Sequence, residues 1–326
     1  MRYTTGSVIS RDGTTIGFRE FGHGPGIVAI HGAAQAAQNF TRLAEALSDA
    51  FTVYVPDRRG RGLSGPQGDH YGITSECEDV DAILSFTGSH NVFGLSSGAI
   101  IALESALRLP AIRKVAVYEP PLSVNHSTPI NWLARYDREV AEDRLGSALV
   151  TAIRGTQTAP LLMRLAPRFV LDPLLNTAAR ASSPDAGKAR TATGDERPTL
   201  RRRALRVLLW PVRRASSGND RNNEAVAQGD DVPLAKLVAT MHYDVQLVIE
   251  TEGTVEHLRK IPAEVLLIGG SRSPLYLKTS LRALSAVLPN ARQVELAGLD
   301  HLAPDNGGRP GQIAAELRRF FASPAR

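Results

Sequence analysis

The pentapeptide Gly94-Leu95-Ser96-Ser97-Gly98 constrains this chain more than any other stretch. An apolar, β-like run, Asn91-Val92-Phe93, leads into it, and a helix-like run from Ala99 to Leu107 leads out. Strand, tight turn and helix with a Ser at the apex make the G-x-S-x-G nucleophile elbow. The apex residue is held in a strained backbone conformation, and the glycines two residues to either side let strand and helix pass closely. The N-terminus of the helix then points at Ser96, where its free N–H groups can stabilise an oxyanion.

The rest of the chain supplies a setting for such an elbow. Ser7–Ser10 and Thr14–Phe21 alternate around Arg11-Asp12-Gly13, a β-hairpin signal. The glycine cluster Gly22–Gly26 opens no helix and carries no Lys-Ser/Thr, so it reads as a plain turn and not a phosphate loop. Short apolar runs at Ile27–Ile30, Phe51–Val55, Arg113–Tyr118 and Ala263–Gly270 read as buried strands, with a further strand at Arg292–Leu296. Helices are expected over Asn39–Leu47, Thr74–Phe86, Leu275–Leu288 and Gln312–Phe321. This alternation predicts a mostly parallel sheet flanked by helices, which binds ligands at the carboxyl ends of its strands. Ser96, His31-Gly32, Asp57, Glu119, Gly270 and His301 all fall just after predicted strands and so at one edge.

The alternation lapses from about residue 122 to 258, which reads as helices broken by Pro and Gly. Asn131–Thr151 is one helical candidate and Pro160–Leu175 a more apolar one; Ala181–Pro198 is Ser/Pro-rich and reads as a loop. Leu200–Arg214 mixes six arginines with apolar residues. It reads first as a solvated amphipathic helix, second as a membrane-surface face, and last as a nucleic-acid patch.

Composition excludes some classes. Net charge is +5 but aromatic content is only 6%, without basic–aromatic interleaving, which argues against a nucleic-acid reader. The single cysteine, Cys77, rules out an intramolecular disulfide, and its acidic neighbours Glu76, Glu78 and Asp79 disfavour a thiolate nucleophile. Neither a secretory signal nor a transmembrane stretch is visible, so a cytoplasmic location is expected.

A Ser hydroxyl is a weak nucleophile and needs a base within hydrogen-bond reach, a task suited to His near neutral pH. Among eight histidines, His301 follows a strand and a Gly turn near the C-terminus; His31 is the competitor. Together, His31-Gly32-Ala33, Asp57-Arg58-Arg59-Gly60-Arg61-Gly62-Leu63-Ser64, the elbow, and Gly298-Leu299-Asp300-His301 resemble the α/β-hydrolase superfamily over nearly the whole chain. The resemblance implies an α/β-hydrolase fold with a helical cap inserted after the sixth strand. The core domain is then 1–121 and 259–326, and the mainly helical cap, or lid, 122–258. In the family's Ser-acid-His order His301 is the base, while His31 shapes the oxyanion loop. The backbone N–H groups of Ser97 and Ala33 would form the oxyanion hole. The Asp57–Ser64 segment is expected to be structural, with Asp57 and Arg58 tying the loop to neighbouring backbone.

One departure from the family pattern concerns the acid. Where an Asp is usual after the seventh strand, the chain reads Gly270-Ser271-Arg272-Ser273-Pro274, and a Ser273 hydroxyl cannot stabilise an imidazolium as a carboxylate does. Some members carry the acid after the sixth strand, where Glu119 precedes two prolines. Glu119 is therefore the candidate; otherwise it makes a salt bridge at the cap hinge. Asp244 and Asp300 are the remaining acids, unless the triad is a dyad. The expected function is a cofactor-independent, metal-free serine hydrolase acting on an ester, lactone or thioester through an acyl-enzyme, its partner a small-molecule acyl substrate. The alternatives are a cyclase, lyase or cofactor-free peroxidase on the same fold, or a non-catalytic small-ligand-binding module. Substrate identity and oligomeric state are not encoded in these motifs.

Overall fold

A computed structural model describes residues 3–158, 164–181 and 230–324, without the side chains of residues 174 and 177–181. Eight strands form one sheet: β1 (Thr4–Ile9), β2 (Thr15–Gly22), β3 (Gly26–Ile30), β4 (Thr52–Pro56), β5 (Asn91–Leu95), β6 (Lys114–Tyr118), β7 (Glu264–Gly270) and β8 (Ala291–Leu296). Their order across the sheet is β1-β2-β4-β3-β5-β6-β7-β8. The hairpin β1–β2 joins β4 antiparallel, and β4 through β8 run parallel. β5, which leads to Ser96, lies in the interior of the parallel part.

The central strands are apolar throughout because both of their faces are covered. Along β6, Val115 and Val117 join one core cluster while Ala116 and Tyr118 join the other. Along β7, Val265 and Leu267 separate from Leu266 and Ile268 in the same way. The first cluster is closed by α2 (Ile73–Thr87), α3 (Ser97–Arg108) and α9 (Leu275–Val287), through residues such as Val80, Ile101 and Leu284. The second is closed by α1 (Thr41–Glu45) and α10 (Pro310–Ala322), through Leu43, Ile313, Leu317 and Phe320. Each such fully buried side chain contributes about 1.5–3 kcal/mol relative to exposure.

Between β6 and β7 the described chain is helical: α4 (Leu133–Ala141), α5 (Leu145–Thr156), α6 (Arg168–Ala181), α7 (Leu234–Ala239) and α8 (Met241–Glu250). The single helix expected over Asn131–Thr151 is in fact two. Asp143 takes φ 53° between them, a left-handed conformation that ends one helix and redirects the next. Expected helix Asn39–Leu47 is likewise a 3₁₀ turn (Ala37–Phe40) followed by the short α1. Pro160–Leu175 falls partly at 160–163, outside the described residues, and its remainder opens α6. The stretch 182–198 and the Arg-rich Leu200–Arg214 also lie outside the described residues. No described helix is long and apolar enough to cross a membrane.

Cys77 sits in α2 within the first cluster, and burial pushes its thiol up to about 12. At pH 8 the native protein is expected to leave a disulfide reagent such as DTNB unreacted on a timescale over which the urea-unfolded chain titrates one thiol. Rapid labelling of the native protein would contradict this packing.

Candidate active site

Sheet register brings the chemistry-bearing strand ends to one level. Leu95 pairs with Tyr118 and Tyr118 with Ile268, so Ser96, Glu119 and Gly269 follow side by side. The ladder extends one step further: the Ser96 N–H donates to the Tyr118 carbonyl at 2.9 Å, and the Glu119 N–H to that of Ile268 at 3.1 Å. Ser96 (φ 55°), Glu119 (φ 50°) and Ala34 (φ 52°) all take left-handed backbone that non-glycine residues rarely adopt. Each such residue costs on the order of 1–3 kcal/mol and persists where the surrounding structure holds it.

The elbow depends on its glycines. A Cβ on Gly94 would lie 2.3 Å from the Gly98 carbonyl oxygen, and one on Gly98 would lie 2.4 Å from that of Ile30. Ser96, half-buried, immediately precedes α3 and stands at that helix's N-terminus.

His301 reaches the same edge from the loop after β8. Its Nδ1 lies 2.8 Å from Glu119 Oε2, and the other carboxylate oxygen, Oε1, accepts the Gly270 N–H at 2.6 Å. Glu119 is fully buried. The His301 loop is pinned to the end of β7: the Arg272 N–H donates to the Leu299 carbonyl at 2.9 Å, and the Gly298 N–H to Ser271 Oγ at 2.8 Å. Tyr118 Oη donates to the Asp300 carbonyl at 2.7 Å. Of the alternative acids, exposed Asp300 turns its carboxylate onto the Leu302 N–H at 3.1 Å. Ser273 is buried, and its hydroxyl has no hydrogen-bond partner among the described residues.

His31 belongs to the loop after β3 and is fully buried. Its Nε2 faces the Arg58 N–H at 3.4 Å and so must accept, which leaves Nδ1–H to donate to the Gly32 carbonyl at 3.0 Å. Burial, together with Arg61 and Arg58, holds its pKa well below the ordinary histidine value, which matches this neutral tautomer. Gly32 itself lies against the elbow, where a Cβ would stand 3.0 Å from that of Ser96.

The Asp57–Ser64 segment braces this edge. Asp57 accepts the N–H groups of Ala37 at 2.8 Å and Leu63 at 3.0 Å, the backbone tie expected of it. The Arg58 side chain differs from expectation, because it binds side chains and no backbone. It contacts Glu76 at 2.7 Å, Tyr71 Oη at 2.9 Å and Ser97 Oγ at 3.1 Å, and it pairs with Asp244. Arg61 holds the other Asp244 oxygen at 2.7 Å and donates to the carbonyls of Gln35 at 3.1 Å and Gly32 at 3.3 Å. Ser97 Oγ donates to Asp244 at 2.8 Å. Asp244, on α8, is therefore committed to two arginines and a Ser hydroxyl. Burial raises its pKa, but Arg61 and Arg58 outweigh that and hold it below the usual carboxylate range.

Sequence reading missed this cluster because its members are separated by up to 186 residues. It also missed Gln35 and Asp305, which join the His31 and His301 loops through a hydrogen bond at 2.8 Å. No spacing rule links such positions. Among the described residues, no group of three or more His, Cys, Asp or Glu side chains could hold a metal ion.

A buried carboxylate on Nδ1 of His301 and a strained Ser at a helix N-terminus thus follow the ends of two paired strands. Comparison with known proteins agrees with the fold. A sequence model of the alpha/beta hydrolase family matches residues 27–316, and the chain belongs to that family. It is 27% identical over 303 residues to a pimeloyl-[acyl-carrier protein] methyl ester esterase of Xanthomonas axonopodis pv. citri, covering 93% of this chain and 97% of that one. An N-formylmaleamate deformylase of Pseudomonas putida is 31% identical over 127 residues, which is 37% of this chain and 47% of that one. Among solved structures, an alpha/beta hydrolase from Sphaerobacter thermophilus aligns with TM-score 0.67 and 28% identity, over 97% of this chain and all of the other.

Asp244→Ala would leave two buried guanidiniums short of their counter-charge. It is expected to destabilise the fold by about 3 kcal/mol, read as a lowered urea midpoint at unchanged slope. A midpoint equal to wild type would show that the cluster contributes no net stability.

Proposed function

We propose that this protein is a serine hydrolase that cleaves a carboxylic ester, lactone or thioester through an acyl-enzyme. The observation that carries the reading is the 2.8 Å contact between His301 Nδ1 and the buried Glu119 carboxylate, at the same sheet level as Ser96. The kinship with an esterase along nearly its full length supports an ester substrate.

In this mechanism Glu119 accepts the Nδ1–H of His301, which leaves Nε2 unprotonated and free to take the Ser96 hydroxyl proton. Ser96 Oγ attacks the acyl carbon, and the carbonyl oxygen gains the displaced electron pair. The N–H groups of Ser97 and Ala33 hold that oxyanion. Collapse breaks the bond to the leaving alcohol or thiol, which departs with the proton from His301. Water then attacks the acyl-enzyme, again with His301 as base, and releases the acid and free Ser96. In this reading the core comprises 1–121 and 259–326, and the insertion 122–258 is the cap that shapes the acyl pocket.

Glu119 is suited to its role because both of its oxygens are engaged by donors. A Gln at this position offers one oxygen and one NH2, so it cannot accept from both Gly270 N–H and His301 Nδ1–H. Glu119→Gln is expected to lower kcat on short p-nitrophenyl esters by about four orders of magnitude while the protein stays folded, whereas Ser273→Ala leaves kcat within about twofold. Wild type should label with a fluorophosphonate probe, and Ser96→Ala should not. A folded wild type that neither labels nor turns over any such ester would refute the hydrolase reading; near-normal turnover in Glu119→Gln would remove Glu119 from the triad.

A further inference from the structure

Gly32 stands between two peptide planes, and as a glycine it has no side chain to restrict either. The peptide that follows it carries the Ala33 N–H. Its direction is set through the Gly32 carbonyl, which receives His31 Nδ1–H at 3.0 Å and Arg61 at 3.3 Å. The peptide that precedes it carries the Gly32 N–H, which donates to Gln35 Oε1 at 2.8 Å. Gln35 Oε1 thus supplies the restraint on the second plane. A Cβ on Gly32 would meet Ser96 Cβ at 3.0 Å and Gln35 Oε1 at 3.3 Å, so the amide oxygen and the nucleophile flank the same backbone atom.

The Gln35 amide is itself oriented. Its Nε2 donates to Asp305 Oδ2 at 2.8 Å, which fixes which end of the amide faces Gly32. Asp305 lies on the loop that carries His301 and is almost fully buried. Asn39 donates to the same oxygen at 3.0 Å, and the Gly307 N–H donates to Oδ1 at 2.9 Å. Asn306 adds further contacts between the same two segments: its N–H to the Asn39 carbonyl at 3.0 Å, its Nδ2 to the Gln38 carbonyl at 2.7 Å, and its Oδ1 from the Arg42 N–H at 2.9 Å. Burial pushes the Asp305 carboxyl up to about 7 against its three N–H donors. A buried acid without an arginine partner is costly for stability alone.

We propose that Gln35, anchored on Asp305, is a positioning residue that locks the Gly32 peptide and so aims the Ala33 N–H at the reacting carbonyl oxygen. The proposal rests on the serine-hydrolase reading above and adds to it the residues that preform half of the oxyanion hole. It also ties the base and the oxyanion donor to one rigid unit, since Asp305 lies four residues beyond His301.

Gln35→Met preserves length and removes both polar ends. It is expected to lower kcat on p-nitrophenyl butyrate about 10- to 100-fold, with KM within about threefold of wild type. Inhibition by an aryl trifluoromethyl ketone, whose serine adduct carries the oxyanion, should weaken in the same proportion as kcat/KM. A merely structural role would lower thermal stability without this matched loss. Wild-type kcat and ketone affinity in folded Gln35→Met, alongside a wild type that labels at Ser96, would overturn the positioning role and leave the hydrolase reading intact. A wild type inert to probe and ester would instead remove the reading on which it rests. Should Gln35→Met not fold, Gln35→Glu carries the test. It keeps an acceptor for Gly32 N–H but sets a second carboxyl against Asp305, while Arg61 stays on the Gln35 and Gly32 carbonyls beside neutral His31. Relative to wild type at the same pH, it should be near-normal at pH 5.5, where the pair shares a proton, and at least tenfold slower at pH 8.5. A ratio that does not change with pH would overturn the proposal.

Discussion

The close approach of β3 and α3 at Gly98 is the constraint on which the site depends. A side chain there would strike the carbonyl oxygens of Ile30 and His31, at 2.4 and 2.5 Å. Because the position is bare, the N-terminus of α3 and the loop after β3 meet beside Ser96. That meeting sets Gly32 against Ser96, although the two are more than 60 residues apart in the chain. The strained Ser96 backbone, φ 55° and ψ −122°, is held in place by the sheet behind it through the Ser96 N–H to Tyr118 carbonyl bond. The strain is local and its support is global, which is the usual relation at a preorganised site.

A second theme is the cluster of paired buried charge beside the site. Arg58, Arg61, Glu76 and Asp244 are nearly inaccessible and together carry no net charge. Isolated, each would be costly in a low-dielectric interior; paired and hydrogen-bonded, they fix geometry. Asp244 comes from the helical insertion, and its contacts with Ser97, Arg58 and Arg61 join that insertion to the residue after the elbow. Arg19, on β2, makes a second tie to the same insertion, pairing with Asp231 at 2.7 Å.

The parts of this arrangement legible in the sequence are those written in local pattern. Continuous apolar runs marked the central strands because both sheet faces are covered, and the elbow announced itself through its glycines. Glu119 could be singled out because register is simple in a parallel sheet: residues that close neighbouring strands end at one level. What escaped is side-chain contact across sequence distance. Asp244 could be weighed as an acid from its position, but nothing in Met241-His242-Tyr243-Asp244 says that Arg58 and Arg61 meet it. Gln35 and Asp305 sit 270 residues apart and follow no motif. The break between α4 and α5 was hidden for a different reason, since Glu142-Asp143-Arg144 is polar but contains neither Gly nor Pro.

The glycines closing β7 make physical sense beside the contact between Glu119 and His301. A carboxylate at the end of β6 must pass over the end of its neighbour to reach a histidine arriving from beyond β8. Glu, with one more methylene than Asp, supplies the reach. At Gly269 a Cβ would meet Leu281 Cδ1 at 2.6 Å, while Glu119 Oε1 would stand at an ordinary contact distance of 3.4 Å. Gly270 then offers its N–H to that same oxygen at 2.6 Å, while a Cβ on it would collide with the Leu299 carbonyl at 2.4 Å. Gly270 thus admits the His301 loop on one side and binds the Glu119 carboxylate on the other. In the proposed triad, placing the acid after β6 is therefore more than an exchange of one residue. It requires a long carboxylate after β6, bare backbone at the end of β7, and no competing carboxylate at Ser273, because the single Nδ1–H of His301 can be directed to only one acceptor at a time.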